Sequence, residues 1–436
     1  MRRRPFLRRP GIGVVGLVVF VVAFAVRAWW AIRVQRPIDA VWSDMAGYVH
    51  RAELLLSGQT PGDPRVLALW PWGTHAIVAG EIALFGRSSV IGIGLCHAVV
   101  GAIAAPCAAA LAARFVPGRL AALVAGLAVA LWHPHVVYGG YFSSEIWFAS
   151  VSLLATLFLV RHAEGRRGAV AGGLFLAIAF VIRPQVLLTC AIVGAVIVVA
   201  RFRGRRLLPL SPGALAALLI PLGIVMAASS VRLHRLTGRW GTIAAYEPVQ
   251  RLFGATDVAK VESTWTAPNG DRWTWWFNPT TKGIPTPATT ERFEGFIADP
   301  ELIRAIQERR LEGVGSRTRL ARMVDNVLLL VDNVPWPEKD NPVRVRRLLQ
   351  KNYKGALFVV LALALFGVWP LRRRPLPGLL VGGQLATIVL VAALYLGEAR
   401  YRVPYDPLLI VVAVVGLWTL GGLAVRKIRD ARARVP

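Results

Sequence analysis

The chain has 436 residues, 55% of them hydrophobic, with a mean hydropathy of +0.53. Apolar stretches near the length that a roughly 30 Å hydrocarbon core demands recur along it, so the composition excludes a soluble globular protein and describes a polytopic membrane protein. A net charge of +27 and a pI of about 11.4 would suggest nucleic acid in a soluble chain, but the arginines fall in short clusters between apolar runs. The charge therefore reports topology, the bilayer is a partner, and nucleic acid is not.

The first apolar run, Gly11 to Ile32, is preceded by Met1-Arg2-Arg3-Arg4 and Arg8-Arg9. It is followed by Trp29, Trp30, Arg33 and Arg36, where a cleaved signal peptide would carry small residues, so it reads as a retained anchor. Next comes Asp44-Met45-Ala46-Gly47-Tyr48. A carboxylate pinned at a membrane exit can take a proton from a substrate arriving at the surface. Its plainer reading is a solvated loop acid, or an N-cap for a helix over Met45 to Ser57. Residues 70 to 86 are apolar enough to span, yet counting them would flip every later loop, so they are predicted to lie along the outer surface as a juxtamembrane helix. His75 and Glu81, six apart on that helix, fall on different faces and do not make a ligand pair.

Ten spans are predicted, at about 11–32, 88–113, 118–137, 143–161, 168–182, 185–200, 208–230, 354–370, 377–396 and 405–424. The fold class is thus an all-α polytopic membrane protein with outer juxtamembrane helices and a small extracytoplasmic α+β insertion. The modules are 1–230 with a first outer loop at 33–87, then 231–353, then a three-helix segment at 354–436. The N-terminus, Arg114 to Arg119, Arg161 to Arg167, Arg201 to Arg206, Arg372 to Arg374 and the tail Arg426 to Arg434 all fall on one side, which the positive-inside rule makes cytoplasmic, with both termini. Of the 24 acids only Glu164 and Asp430 share that side, so acid–base chemistry belongs outside. Trp29, Trp30, Trp42, Trp70, Trp72, Trp132 and Trp147 are expected to form an outer aromatic belt.

His133 and His135 flank Pro134 at the outer end of the third span, a weak metal signal. Glu145, in Tyr141-Phe142-Ser143-Ser144-Glu145, opens the fourth, where a first-turn acid also favours the helix dipole. The stretch Gly168 to Ala200 has arginines at both ends, so it must go out and return, turning at Arg183-Pro184. Each arm of about 15 residues reaches roughly 22 Å, so Arg183 is predicted to sit in a recess, where a guanidinium needs an anionic partner. Cys96, Cys107 and Cys190 lie within apolar segments without ligand spacing and read as small core residues.

In the long polar segment Val231 to Tyr353, Pro268-Asn269-Gly270-Asp271 predicts a hairpin turn, with Trp273, Trp275 and Trp276 on a hairpin face. Core packing and a sugar platform are both readings of that tryptophan cluster. Asp299-Pro300-Glu301 predicts a helix start, and Leu320, Met323, Val324, Val327, Leu328 and Val331 a helical stripe that packs on the domain or lies on the membrane, packing being preferred. Glu398-Ala399-Arg400-Tyr401-Arg402 precedes the last span.

These pieces together resemble the polyprenyl-phosphate-sugar-dependent glycosyltransferases of the GT-C fold, the group containing protein O-mannosyltransferases and bacterial lipid A aminoarabinose transferases. The resemblance is carried by Asp44 to Tyr48 with Ala52 and Gly58, by Trp70-Pro71-Trp72 through Leu84-Phe85-Gly86, by Gly173-Leu174 to Ile182-Arg183-Pro184, and by Arg400-Tyr401-Arg402-Val403-Pro404. It implies inverting transfer of a sugar from a polyprenyl-phosphate donor at the outer face of the cell membrane to a lipid, glycan or protein acceptor. Asp44 is then the candidate base; Glu145, from another loop, is the second catalytic candidate, to hold the acceptor, pair with an arginine or help bind a metal. Arg183 and Arg400, with Arg402 in reserve, are candidates for the donor phosphate, because a guanidinium fork matches phosphate oxygens. For Arg400 and Arg402 the alternatives are pairing with Glu398 and Asp406, or snorkelling to headgroups. Tyr48 and Tyr401 can hydrogen-bond sugar or phosphate, or mark the interface.

No cofactor is specified; a divalent metal stays open, and Met45 stands where many relatives carry a second acid. The long outer segment also precedes the last three spans, whereas the aminoarabinose transferases carry theirs at the C-terminus. Competing classes are an O-antigen ligase or polymerase, against which the first-loop acid pattern argues, a secondary transporter, which needs acids within the spans, and a scaffold displaying 231–353. Reporter fusions at Gly62 and Asp271 are expected outside and at Gly165 inside; residue 165 outside would overturn this threading.

Overall fold

The computed structural model describes residues 12–163, 168–204, 207, 211–278, 289–332 and 344–432. The N-terminal arginines, Glu164 and parts of the Arg-rich connections at 164–167, 205–206 and 433–436 lie outside the described residues. Helices α1 (Ile12–Trp29), α2 (Asp44–Ser57), α3 (Trp72–Phe85), α4 (Val90–Phe115), α5 (Arg119–Ala130), α6 (His133–Val137), α7 (Ser144–Ala163), α8 (Ala169–Ile182), α9 (Val186–Phe202) and α10 (Pro212–Thr237) form the first part. After the polar segment come α14 (Arg344–Leu371), α15 (Pro375–Leu394), the short α16 (Ala399–Arg402) and α17 (Asp406–Arg432).

Each predicted span coincides with a helix, although they are not equal. Among the described residues seven helices are long and apolar enough to cross a bilayer. The third span is a bent pair, α5 and α6, meeting at 53°. The break falls at Leu131-Trp132, and Pro134 in the first turn of α6 lacks the N–H that would continue the ladder. The fifth and sixth, α8 and α9, are the short arms expected on either side of Arg183-Pro184. Residues 72–85 form a separate helix of 14 residues. Packing runs α1 against α4 and α5, α7 and α10 against α8, and α14 along α17.

The buried Arg27 shows how a charge is accommodated inside this bundle. Its Nη1 donates to Ala130 O at 2.9 Å and its Nη2 to Val129 O at 3.1 Å, so it caps the carbonyl end of α5, with His135 Nδ1 at 3.0 Å. His135 is thus a partner of Arg27, while His133 sets its ring edge-on to Trp30 at 6.1 Å; the metal reading of the pair is replaced by a packing one.

The polar segment folds as α11 (Glu247–Ala255), β1 (Val258–Thr266), β2 (Arg272–Phe277), β3 (Thr289–Glu294), α12 (Pro300–Leu311) and α13 (Ser316–Leu329). The predicted hairpin joins β1 and β2 antiparallel, with Gly270 at φ +88° in its turn, and β3 adds parallel to β1, giving the order β2-β1-β3. Asp299 caps α12, accepting from Glu301 N at 2.9 Å. The period of two splits the tryptophans: Trp275 packs on Trp70, whereas Trp276 lies on the opposite face and stays 57% exposed. The α13 stripe differs from its preferred reading, because Leu320, Val324 and Leu328, one turn apart, remain exposed while Asn326 is buried. Of the seven tryptophans expected in an aromatic belt, Trp30 and Trp132 are buried and Trp72 Nε1 donates to Ser229 Oγ at 2.9 Å, whereas Trp29 stays 51% exposed.

The core of this segment includes Val66, Leu69 and Leu396, residues from the first loop and from the turn before α16. Asp63 fastens that junction: it accepts from Arg65 Nη2 at 2.7 Å and from Trp265 Nε1 at 2.7 Å, and is fully buried. Burial alone would raise its pKa, but the hydrogen bonds from Arg65 and Trp265 outweigh it and hold the carboxyl below its ordinary value. A depressed folded pKa stabilises above the ordinary aspartate value of about 4 and loses that contribution as pH falls through the folded pKa. Asp63→Asn is expected to cost about 2 kcal/mol, to speed proteolysis between residues 63 and 265, and to flatten the acid limb of a pH–stability curve relative to wild type.

Candidate active site

Four distant segments meet at one end of the bundle. Asp44 starts α2, Glu145 lies in the first turn of α7, Arg183 ends α8, and Glu398 and Arg400 flank the start of α16. Arg400 Nη2 donates to Asp44 Oδ2 at 2.6 Å, across 356 residues of sequence, and Arg400 Nε lies 3.3 Å from Glu398 Oε2. Arg183 Nη2 donates to Glu145 Oε1 at 2.5 Å and its Nε to Ser144 Oγ at 2.9 Å. The Tyr401 ring stands beside both guanidinium groups, 5.5 Å from Arg400 Cζ and 5.8 Å from Arg183 Cζ. A ring face there favours two cations at once. Tyr48, one turn along α2 from Asp44, has its hydroxyl pKa raised by burial first and then by the charges of Asp44 and Glu145.

Local structure explains the convergence. Ser43 has φ 52° and ψ −131°, the only non-glycine at positive φ among the described residues, and it turns the chain so that Asp44 begins α2 facing Arg400. Such a conformation costs roughly 1–3 kcal/mol. Ser43 makes no side-chain cap and Asp44 is the first helical residue, so the N-cap reading of Asp44 gives way to an ion pair. Gly73 lets α3 press on the end of α8, where a Cβ would come within 2.5 Å of Val181 O, two residues before Arg183. Gly397 passes so close to Asn326 O that any side chain would collide, which fixes the backbone just before Glu398.

The site is half closed. Asp44 and Arg400 keep about a quarter of their side-chain surface exposed, at 27% and 26%, whereas Glu145 and Arg183 keep 5% and 11%. Arg183 hydrogen-bonds through Nε and Nη2, whereas Arg400 hydrogen-bonds through Nη2 and sets its buried Nε beside Glu398 without a hydrogen bond; neither Nη1 has a hydrogen bond among the described residues. Asp44, Glu145, Arg183, Arg400, Tyr48 and Tyr401 are thus brought together.

Arg402 is not. It is buried, donates to Asp406 Oδ1 at 2.8 Å and also to Leu330 O and the Tyr353 hydroxyl, and Asp406 accepts in turn from Trp132 Nε1 at 2.7 Å. Two residues along a helical turn point about 200° apart, so Arg400 and Arg402 cannot serve one ligand, and the reserve role of Arg402 is corrected to a structural one. Ser144 and Gln185, which donates to Tyr405 Oη at 2.8 Å, went unselected by sequence reasoning, although both adjoin selected residues.

The donor set does not suit a divalent cation. Asp44 and Glu145 each commit an oxygen to a guanidinium, and no group of three or more His, Cys, Asp or Glu side chains among the described residues is arranged to hold one. Mg²⁺ and Ca²⁺ favour oxygen-rich sets whose charge is not already compensated.

A scan of the sequence against protein-family models finds no match, and neither does a search of curated proteins. Among solved structures, the oligosaccharyltransferase of Archaeoglobus fulgidus in its apo form aligns over 95% of this chain and 52% of its own at 12% identity, with a TM-score of 0.48. The archaeal oligosaccharyltransferase AglB from Archaeoglobus fulgidus, in complex with an inhibitory peptide and a dolichol-phosphate, gives 14% identity over 95% of this chain and 52% of its own, with a TM-score of 0.48. ArnT from Cupriavidus metallidurans bound to undecaprenyl phosphate aligns over 94% of this chain and 78% of its own at 16% identity, with a TM-score of 0.39. The chain spans about half the length of the oligosaccharyltransferase.

Breaking a buried pair leaves an uncompensated charge, so Glu145→Gln is expected to destabilise by about 3 kcal/mol. The double variant Glu145→Gln/Arg183→Met should recover part of that loss, and thermal unfolding of the four members of the cycle in detergent measures the coupling.

Proposed function

We propose that this protein is an integral-membrane glycosyltransferase that moves a sugar from a polyprenyl-phosphate donor to an acceptor hydroxyl at the extracytoplasmic face, with inversion. The observation that carries the reading is the meeting of Asp44, Glu145, Arg183 and Arg400 at one end of the bundle, from segments the sequence had picked out separately. The chemistry needs a base for the acceptor and fixed positive charge for the leaving phosphate, and this cluster places both side by side, partly buried.

In the proposed step the acceptor oxygen attacks the anomeric carbon as its proton passes to Asp44. The bond from that carbon to the phosphate oxygen breaks on the opposite face, and its electron pair stays with the lipid phosphate. The Nη1 groups of Arg183 and Arg400 supply donors to that developing charge, with Tyr401 setting their spacing. Asp44 is paired with Arg400 before substrate arrives; a phosphate that draws Arg400 toward itself loosens the pair and leaves the carboxylate free to accept a proton. Glu145 and Ser144 hold Arg183 in position rather than touching the reacting atoms. No step in this scheme is routed through a metal.

Asp44→Asn is expected to lower transfer from a lipid-linked sugar by about a thousandfold while leaving membrane insertion intact. The assay is consumption of a panel of polyprenyl-phosphate sugars by membranes containing either form, and full activity in the variant would sink the assignment. Arg183→Lys, which keeps the charge and loses the fork, should mainly weaken donor use.

A further inference from the structure

A buried acid–imidazole pair lies outside the cluster at Asp44. Glu81 of α3 and His97 of α4 are 3% and 1% exposed, so neither meets water. His97 Nε2 stands 3.0 Å from Glu81 Oε1, an ion-pair contact outside hydrogen-bond geometry. The other ring nitrogen, Nδ1, lies 3.0 Å from Gly139 O. A carbonyl oxygen only accepts, so Nδ1 carries a hydrogen and donates it. Nε2 then faces the carboxyl group with one proton to share, held on the imidazole or on the acid. With the proton on the imidazole, the carboxylate offsets its charge and the charged ring makes the stronger bond to Gly139. Apolar side chains would join α3 to α4 at lower desolvation cost. What they cannot supply is a donor aimed at a carbonyl in the neighbouring turn.

That turn leads directly into the candidate site. Gly139 belongs to the single 3-10 turn Tyr138–Gly140. Phe142 sets its ring edge-on to His97 at 5.7 Å, and Ser143 Oγ donates back to Tyr138 O at 3.3 Å. Gly140 abuts Gln35, where a Cβ would come within 2.6 Å of Gln35 O. Next in the chain are Ser144 and Glu145, which accept from Arg183 Nε and Nη2. Every residue from Tyr138 to Glu145 is buried, so a shift of the turn at Gly139 is passed on to the seat of Arg183.

We propose that Glu81 and His97 are a positioning pair. Glu81 orients the His97 ring, His97 holds the turn through Gly139 O, and the turn sets Ser144 and Glu145 against Arg183. The brace on the turn stands by itself; its consequence for donor use rests on the function proposed above. Hydrogen exchange of the full chain in detergent, read by mass spectrometry, tests the brace, and donor KM in the membrane transfer assay tests the consequence.

His97→Phe fills the space of the ring without a donor. It is expected to raise exchange across residues 138–145 by about tenfold, with α14 and α17 unchanged, and to raise donor KM by a similar factor. In His97→Asn the amide N–H stands in for Nδ1–H, and both readouts should return to within about threefold of wild type. Glu81→Gln keeps the shape and removes the charge, and should give a smaller rise at the same residues; where His97→Phe does not fold, this variant carries the test. In an Arg183→Lys background His97→Phe should add little to donor KM, because both changes act on one contact. Wild-type exchange at 138–145 in both His97→Phe and Glu81→Gln, a rise spread over the whole chain, or no recovery in His97→Asn would overturn the pair's role. A local rise in exchange with donor KM unmoved would overturn the link to Arg183. Absence of sugar transfer in wild type would count against the proposed function, and the exchange result would still judge the brace.

Discussion

Two carboxylate–guanidinium pairs, Asp44–Arg400 and Glu145–Arg183, organise one end of this molecule, and each imposes a desolvation cost that only close geometry offsets. Neither pair is local. Joining residues 44 and 400 draws the first loop onto the turn before the last long helix, and joining 145 and 183 closes the mouth of α7 against the short hairpin α8–α9. The surrounding backbone is shaped to let the pairs form: a strained Ser43, a close glycine contact at Gly73, and another at Gly397. One pair keeps about a quarter of its side-chain surface exposed and the other is nearly buried, so the desolvation cost falls mainly on Glu145 and Arg183.

The polar segment between α10 and α14 joins the same arrangement through Asp63. Because Val66 and Leu69 sit in its core and Trp265 donates to Asp63, movement of that segment is mechanically linked to the loop carrying Asp44. Arg51 continues the link: it lies on α2 two turns beyond Asp44 and stacks on Trp70. One helix thus has a carboxylate in the ion-pair cluster at its start and a buried cation stacked on Trp70 near its middle.

Buried charge is treated differently across the fold. Arg27 is satisfied by the carbonyl end of α5, and Arg402 by Asp406, Leu330 and Tyr353; both have structural partners on several sides. Arg183 and Arg400 retain an uncommitted Nη1. This separates structural arginines from candidates for a ligand more sharply than depth alone, because a guanidinium with every donor used has nothing left to recognise.

Hydropathy by itself located the apolar helices, since a bilayer forces apolar runs of a set length and rejects charge within them. Seven of those helices, or eight with the bent pair, are long and apolar enough to span among the described residues, against ten predicted. The same patterning put Arg183 at the tip of a short hairpin that would need an anion, and it marked the loops carrying Asp44, Glu145 and Arg400. Only the tertiary structure decided which acid meets which arginine, that Arg402 turns inward, that Trp30 and Trp132 are buried, and that α13 leaves Leu320, Val324 and Leu328 exposed. Those outcomes depend on side-chain direction and on contacts between residues hundreds of positions apart. Periodicity assigns a residue to an element and a face; it does not say which other element that face will meet.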